Sequence, residues 1–325
     1  MMQNAKLDTL GDQQYIALLK DVRFRPIFIM GDHRSGTTLL YQLLDATQCF
    51  NVVRAYHLSR YDEVIANHLH GTEGAAKQEL GSYFAREGLT DRIIDGVGVT
   101  PDLPEEYGFI LKDGGFRLQL TPRSLPKLVE LCKKVQFVSD PAKPVLLKNP
   151  WDYFLNFMYV KSAFPEAKFI FLHREPLHVI NSQLKAVRSS LATQSAYNDL
   201  IAAWYSRIYR QPAKRAATRM LFSEHFDMGV RIVIRHVVRG LTYFMQHIDS
   251  LPTSDHISIR YEDVCAEPRA TLEHILSFLG LQERSNVPYE TLIDPRPLRL
   301  LPEVVRKAAV VRKQLQPYYV QYGYN

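Results

Sequence analysis

The sequence has few cysteines and lacks long apolar runs. Its 325 residues include three cysteines, Cys49, Cys132 and Cys265, and no Cys-x-x-Cys pair. This odd, widely spaced set argues against a structural zinc site and favours a reducing compartment. Residues 1–25 are polar and contain neither the apolar core of a signal peptide nor a membrane-spanning segment. We therefore expect a cytoplasmic protein without membrane association.

A strong excess of one charge is also missing. The chain has 40 basic and 34 acidic residues, a net charge of +6 and a pI near 9.1. This balance argues against a dedicated nucleic-acid-binding protein, although it favours anionic ligands. The sequence contains no repeat, coiled coil or low-complexity segment. With 46% hydrophobic residues it can bury a large core, and we expect one domain over residues 1–325.

A glycine-bearing motif near the start organises the chain. Residues 26–30 form an apolar run typical of a buried strand, and the leucines after residue 38 are spaced as the inner face of a helix. Between them, Gly31 and Gly36 allow a sharp turn. The N–H groups at the helix start, together with the positive end of the helix dipole, suit a phosphate-like anion.

This loop lacks the lysine of a nucleotide-binding P-loop. The spacing of glycine, four residues and glycine fits, but Thr37 stands where lysine would be required. Arg34 must then supply the cation of the loop. Its fixed fork of donors matches a branched oxyanion. The alternative is a turn that only connects the strand to the helix.

Four further apolar runs, at residues 50–53, 144–147, 168–172 and 256–260, predict strands. The fold class is thus α/β: a P-loop-type parallel sheet of about five strands flanked by helices. Helical insertions at about 58–140 and 190–250 are expected to shape a second substrate's pocket, and a basic C-terminal helix spans about 302–317. We interpret the acidic residues of the first insertion, Glu105 and Glu106 among them, as a solvated surface, with the lining of a pocket for a cationic acceptor as the alternative.

Ligands of open α/β sheets sit beyond the carboxyl ends of the strands. His57 follows the second strand and is a candidate base, with a loop histidine bonded to the backbone as the alternative. Lys148 ends the third strand, just before the proline that closes it off. Asp152 or a neighbour is predicted to cap the next helix.

The fourth strand lacks a terminal aspartate. ATP- or GTP-hydrolysing P-loop proteins usually have one there, as part of the magnesium site. This strand ends instead in His173 and Arg174, which predicts a cationic, metal-free second anion site. Ser182 lies on the following helix, where it can meet Arg174 only if the arginine reaches back along the helix start.

Taken together, these motifs resemble the sulfotransferases that use 3′-phosphoadenosine-5′-phosphosulfate (PAPS), in the branch that includes bacterial small-molecule and protein-tyrosine enzymes. The resemblance rests on GDHRSGTT at 31–38, KNP at 148–150, FLHREP at 171–176 with Ser182, and RYED at 260–263 with FLG at 278–280. Its motifs lie within about residues 24–54, 144–190 and 255–282, which is under half of the chain.

The resemblance implies a role for each matching residue. Around the 5′-phosphosulfate it implies Arg34, Ser35, Gly36, Thr37, Thr38 and Lys148; on the 3′-phosphate it implies Arg174 and Ser182; near the nucleotide it implies Tyr261. The tyrosine-protein branch has a glutamate base just after the second strand, where this chain has Tyr56 and His57, with Glu63 slightly later. A late basic stretch of cytosolic members is not clearly present, and Arg306, Lys307 and Arg312 are the only substitutes.

We therefore expect metal-free, in-line transfer of a sulfuryl group from PAPS to a hydroxyl or amine of a small-molecule acceptor. Arg34 and Lys148 would stabilise the developing charge. His57 would take the acceptor's proton, with Glu63 in reserve. The alternatives are a P-loop kinase-like phosphotransferase and a nucleotide-binding protein without enzymatic activity.

Overall fold

A parallel sheet of five strands lies at the centre of the computed structural model, which describes residues 11–89, 98–113, 115, 117–193, 211–224, 226–293 and 299–324. The strands are β1 (Pro26–Met30), β2 (Asn51–Val52), β3 (Val145–Lys148), β4 (Lys168–His173) and β5 (His256–Arg260). All neighbouring pairs are parallel, in the order β2-β3-β1-β4-β5. The predicted sheet is confirmed, and each strand ends within a residue or two of the predicted bounds.

The strand order brings distant chain segments together. β1 lies between β3 and β4, where Ile29 is in register with both Lys148 and Ile170. Because the three strands run parallel, their carboxyl ends open at one edge of the sheet. The loop after β1, the end of β3 and the turn after β4 are therefore neighbours.

Helices flank the sheet and fill its connections. They are α1 (Thr37–Ala46), α2 (Ala55–Ser59), α3 (Val64–Leu69), α4 (Glu73–Arg86), α5 (Gly108–Asp113), α6 (Leu125–Phe137), α7 (Pro150–Ala163), α8 (Pro176–Ala192), α9 (Pro212–Leu221), α10 (Asp227–His247), α11 (Tyr261–Ala266), α12 (Pro268–Leu279), α13 (Pro302–Gln314) and α14 (Gln316–Tyr322). Within the part of the chain that the structure describes, no helix combines the length and apolarity needed to cross a bilayer.

Alternate residues of the strands build two cores, one on each face of the sheet. Phe28 and Phe171 pack on one face with side chains from α7, α8 and α10. Ile29 and Ile170 pack on the other face with side chains from α1 and α12. Burial on both faces explains why these strands read as continuous apolar runs.

The two long connections are helical where the structure describes them. The first, between β2 and β3, contains α2 to α6, and a single bridge between Arg54 and Pro104 ties its far part to the end of β2. The second contains α9 and α10, whereas residues 194–210, also predicted as helical, lie outside the described residues. The predicted C-terminal helix corresponds to α13, and α12 ends at Gly280, which is in the left-handed conformation.

Asp152 has a different role from the predicted helix cap. The N-cap position of α7 is Asn149, and no side chain caps that end. Asp152 is fully buried, and its carboxylate accepts hydrogen bonds from the Leu120 N–H and the Asn149 side chain, both at 2.8 Å. Burial raises the pKa of Asp152, against the effect of its hydrogen bonds. The residue joins α7 to the first insertion.

Candidate active site

The loop between β1 and α1 is built as an anion-binding turn. Gly36 has a φ of 101° at the N-cap of α1, and Arg34 lies in the left-handed region with a φ of 68°. The Ser35 N–H and hydroxyl both donate to the Asp32 carbonyl oxygen, at 3.1 and 2.8 Å. A Cβ on Gly31 would lie 2.7 Å from Ser35 Oγ, so the tight turn requires glycine there. The first N–H groups of α1 have no helical acceptor and can bind an anion.

Arg34 contacts two other residues of the predicted anion sites. Arg34 Nε donates to Ser182 Oγ at 3.2 Å, and Arg174 Nη1 donates to the Arg34 carbonyl oxygen at 3.0 Å. Arg174 follows β4, and Ser182 lies on α8. The sequence predicts that Arg174 and Ser182 share one anion site, and in the structure Arg34 contacts both.

Tyr261, the first residue of α11, packs between the loop and Arg174. The guanidinium carbon of Arg174 lies 4.1 Å from the centre of the Tyr261 ring. The ring lies so close to Gly36 that a Cβ there would come within 2.2 Å of Tyr261 Cδ2. Arg174 Nε is buried and has no hydrogen-bond partner among the described residues. Because a buried donor without an acceptor is unfavourable, this group is suited to a bound anion.

Lys148 connects the loop to the first insertion. Its side chain is completely buried, and its Nζ donates to Thr38 Oγ1 at 3.0 Å. The same Nζ lies 3.1 Å from Glu106 Oε1. A lysine, a hydroxyl and a carboxylate from three separate segments thus meet at the carboxyl edge of the sheet.

The backbone explains why Glu106 reaches this position. The Glu105 N–H donates to the Val53 carbonyl oxygen at 2.9 Å, and the Tyr107 N–H donates to that of Lys148 at 3.3 Å. The segment therefore crosses the ends of β2 and β3. The expectation of a solvated surface was wrong for both acids, since Glu105 is 0% and Glu106 is 9% exposed. Nothing in the local sequence signals this pairing.

His57 lies in α2, directly after the end of β2. Its Nδ1 accepts the Arg54 N–H at 3.1 Å, which satisfies the start of this short helix. Burial lowers the pKa of His57 to about 3, with further lowering from Arg54 and Lys77 against a raising effect of Asp102. Its Nδ1 is thus engaged by the backbone, and among the described residues no hydrogen bond joins His57 to the anion-binding loop or to Lys148. This geometry disfavours His57 as the general base.

His33 adds a titratable group that the sequence analysis did not single out. Its ring packs edge-on against Trp151, with the ring centres 4.6 Å apart, and its Nε2 is buried without a hydrogen-bond partner among the described residues. Burial lowers the pKa of His33, and the charges of Glu106 and Asp32 oppose that change.

A second histidine approaches the loop from α10. His236 Nε2 lies 3.4 Å from Asp32 Oδ1, and its ring stacks on Phe154 at 4.1 Å. This side of the site is therefore lined with aromatic rings. Among the described residues, no group of three or more histidine, cysteine or acidic side chains is arranged to hold a metal ion.

Comparisons with known proteins identify the family and the fold of the chain. Residues 26–226 and 208–285 match the "Sulfotransferase family". The fold is similar to solved structures of sulfotransferase STF9 from Mycobacterium avium, with a TM-score of 0.64 and 13% identity over 95% of this chain and 79% of that one. It is also similar to STF1 from Mycobacterium tuberculosis H37Rv, with a TM-score of 0.58 and 16% identity over 94% and 80%. A third is a sulfotransferase from Alicyclobacillus acidocaldarius, with a TM-score of 0.50 and 11% identity over 94% and 98%. No curated protein matches the sequence.

At these identities the solved structures show a shared fold, whereas the family match spans most of the chain. The chain therefore belongs to the sulfotransferase family, whose members use PAPS. It is a transferase of sulfur-containing groups.

Proposed function

We propose that this protein transfers the sulfuryl group of PAPS in line, without a metal, to a hydroxyl or amine of a small-molecule acceptor. The observation that carries the proposal is the position of Lys148, whose ammonium group contacts both Thr38 of the anion-binding loop and the Glu106 carboxylate. A cation, a loop donor and a candidate base thus share one point at the carboxyl edge of the sheet.

The donor set fits PAPS. In the proposal the 5′-phosphosulfate is held by Arg34, Ser35, Gly36, Thr37 and Thr38 together with Lys148. The 3′-phosphate is held by Arg174, which has an unused buried Nε donor, and by Ser182, and the nucleotide lies near Tyr261. All of these anion ligands are cations, hydroxyls or backbone N–H groups, as two anionic ends of one ligand require.

Electrostatic stabilisation is the main chemical task of these residues. PAPS supplies a sulfuryl group on a 5′-phosphate leaving group. Lys148 and Arg34, with the Thr38 hydroxyl, stabilise the charge that grows on the leaving oxygen, and burial of Lys148 strengthens that interaction. Fixed donors of this kind need no reorganisation during transfer.

Glu106 is the better candidate for the general base. Its carboxylate is 3.1 Å from Lys148 Nζ, next to the loop that would hold the sulfuryl group. His57, by contrast, caps the start of α2, where its Nδ1 accepts the Arg54 N–H. We assign proton removal from the acceptor to Glu106 and keep His57 as the competing assignment.

The acceptor class and the compartment remain expectations. The aromatic rings of Trp151 and Phe154 beside the loop favour a small molecule with a flat or apolar body. The cysteines Cys49, Cys132 and Cys265 are all free thiols, as expected in the cytoplasm.

Ligand-dependent unfolding tests the proposed donor. We expect adenosine 3′,5′-bisphosphate (PAP) to raise the melting temperature with or without a chelator, whereas ATP with magnesium should not. Incubation of cell extract with enzyme and PAPS, followed by mass spectrometry, should reveal an acceptor that gains one SO₃ group. Stabilisation by ATP with magnesium and not by PAP would instead support a kinase.

Substitution of Glu106 tests the base. We expect Glu106→Gln to lower turnover at least about a hundredfold and PAP affinity much less, because the acceptor's proton is no longer removed. The variant should also lose stability, because the buried Lys148 loses its counter-ion. His57→Ala should reduce thermal stability more than turnover. Glu63→Gln is the matched acidic control, since Glu63 pairs with Arg60 at 3.7 Å and is 43% exposed. A collapse of turnover in His57→Ala or Glu63→Gln, with normal turnover in Glu106→Gln, would move the role to that residue.

A further inference from the structure

The C-terminal tail, defined as residues 316–324, reaches the two turns that flank the candidate 3′-phosphate site. The Tyr319 hydroxyl donates to Glu175 Oε1 at 2.7 Å, and the Tyr324 hydroxyl donates to Glu262 Oε2 at 3.0 Å. Both tyrosine side chains are buried. The tail is therefore packed against the site through two specific hydrogen bonds to acidic residues.

Glu175 directly follows Arg174 in the chain and begins α8 as its N-cap. One carboxylate oxygen accepts the Tyr319 hydroxyl, and the other accepts the His178 N–H at 2.7 Å at the start of α8. Both oxygens of Glu175 are thus occupied by donors other than Arg174.

Glu262 lies on the other side of the site and likewise accepts a hydrogen bond from a tyrosine of the tail. It directly follows Tyr261, on whose ring Arg174 lies. Its Oε1 accepts the Glu175 N–H at 3.2 Å, and its Oε2 accepts the Tyr324 hydroxyl. The two carboxylates and two tyrosines form one continuous hydrogen-bonded network.

The two acids are the chain neighbours of Arg174 and of the tyrosine on which it lies. Glu175 follows Arg174, and Glu262 follows Tyr261, whose ring centre is 4.1 Å from the guanidinium carbon. The Glu175 N–H also donates to Glu262, so both acids flank the same guanidinium. A carboxylate that turned toward Arg174 would form a charge-assisted pair with it. Such a pair would compete directly with a phosphate group for the same guanidinium donors.

We propose that Tyr319 and Tyr324 are positioning residues for the 3′-phosphate site. By occupying one oxygen of each carboxylate, they keep Glu175 and Glu262 from pairing with Arg174 and leave its guanidinium available to the phosphate. The inference rests on the proposed function, because it takes Arg174 as the 3′-phosphate ligand. It assigns to the C-terminal tail a part in binding the 3′-phosphate.

Calorimetric binding of PAP and of adenosine 5′-monophosphate (AMP) to the full chain provides the test. AMP lacks the 3′-phosphate, so the ratio of the two affinities isolates the contribution of the 3′-phosphate site. Tyr319→Phe and Tyr324→Phe remove only a hydroxyl each. We expect each to weaken PAP binding about tenfold and to change AMP binding less than about twofold.

A rescue variant separates positioning from general structural damage. In the Tyr319→Phe background, Glu175→Gln should restore PAP affinity, because a neutral amide accepts the same helix-start N–H but does not form an ion pair with Arg174. Tyr322→Phe is the matched control on the same helix, since its hydroxyl lies 3.5 Å from Ser258 Oγ and does not contact either carboxylate. It should leave the PAP to AMP ratio unchanged.

The outcomes distinguish the two proposals. A wild-type protein that does not bind PAP would overturn the proposed function and this inference with it. A wild-type protein that binds PAP, with equal losses for PAP and AMP in the phenylalanine variants, would overturn the inference alone. Unchanged PAP binding in those variants, or no rescue by Glu175→Gln, would do the same.

Discussion

At the scale of single residues, Lys148 contacts both the anion-binding loop and the first insertion. A fully buried ammonium group is costly unless it is paired and hydrogen-bonded. Glu106 and Thr38 supply both conditions. The same pairing that permits its burial also places its charge at the end of the loop, so stability and proposed catalysis depend on one contact.

We expect Lys148→Met to lower kcat about a hundredfold or more and PAP affinity much less, because charge on the leaving oxygen grows only in the transition state. Steady-state kinetics with PAP binding by calorimetry makes the comparison. The variant should also lose stability, since Glu106 is left without its cation. Adding Glu106→Gln should recover stability without recovering turnover. Equal losses of kcat and PAP affinity would make Lys148 a ground-state ligand.

The sequence could indicate only those site residues whose contacts are with residues close to them in the chain. Arg34 and Thr38 belong to one glycine-bearing motif, so their shared position follows from the turn itself. Glu106 reaches Lys148 through backbone pairing with β3, which no local pattern encodes. His57 does follow β2 as expected, but its Nδ1 is used by the Arg54 N–H, and that contact depends on how the chain enters α2.

At the scale of elements, α7 departs from a regular helix beside the site. Phe154 has a ψ of 98° and Leu155 a φ of 59°, which divide α7 into two segments. The Gln119 side chain donates to the carbonyl oxygens of Trp151 and Phe154, at 2.9 and 2.6 Å. A side chain that enters the backbone ladder in this way is a known cause of kinks. At this kink, the ring of Phe154 stacks on that of His236.

The left-handed conformation of Leu155 predicts an unusual pattern of substitution. Asparagine tolerates this region, whereas a β-branched residue does not, so Leu155→Asn should be more stable than Leu155→Val by about 1–2 kcal/mol in urea denaturation. Ser162 provides the matched control, because it lies on the exposed, regular part of α7 and its Asn and Val variants should differ little. Equal stabilities of the two Leu155 variants would contradict a strained backbone there.

Most strands and helix ends were predictable because their signals are local. Continuous apolar runs marked all five strands, since both faces of the sheet are covered. The kink in α7 was not predictable, because Phe154 and Leu155 carry no helix-breaking signal and the cause lies in Gln119, a residue of the preceding insertion.

At the scale of the whole molecule, the strand order decides which motifs meet. β1 at the centre of the sheet places the anion-binding loop between the ends of β3 and β4. The sequence predicted parallel strands but contained no signal for their order, since order depends on the long connections. For the same reason, the contacts of the tail with Glu175 and Glu262 could not be foreseen.

Two buried histidines in distant parts of the molecule make its stability depend on pH. His57 lies at the start of the first insertion, and His173 lies at the end of β4, where Tyr318 and Ser258 contact its two ring nitrogens at 3.0 and 3.1 Å. Burial lowers the pKa of each to about 3. The unfolded chain, with an ordinary histidine pKa near 6.5, therefore binds more protons than the folded protein between these values.

The sign of the pH effect follows from this difference. The stabilisation is complete above the unfolded pKa of about 6.5, and it is lost as the pH falls toward the folded pKa of about 3. Each histidine should lower the free energy of unfolding by about 1.4 kcal/mol per pH unit within this window. Urea denaturation at several values between pH 6.5 and 5 measures the slope.

His57→Asn keeps an acceptor for the Arg54 N–H but does not titrate, so it should remove the contribution of one histidine to this slope. His274→Asn, on the exposed side of α12, should leave the slope nearly unchanged. A wild-type slope of zero, or an unchanged slope in His57→Asn, would show that His57 is not held neutral by the fold.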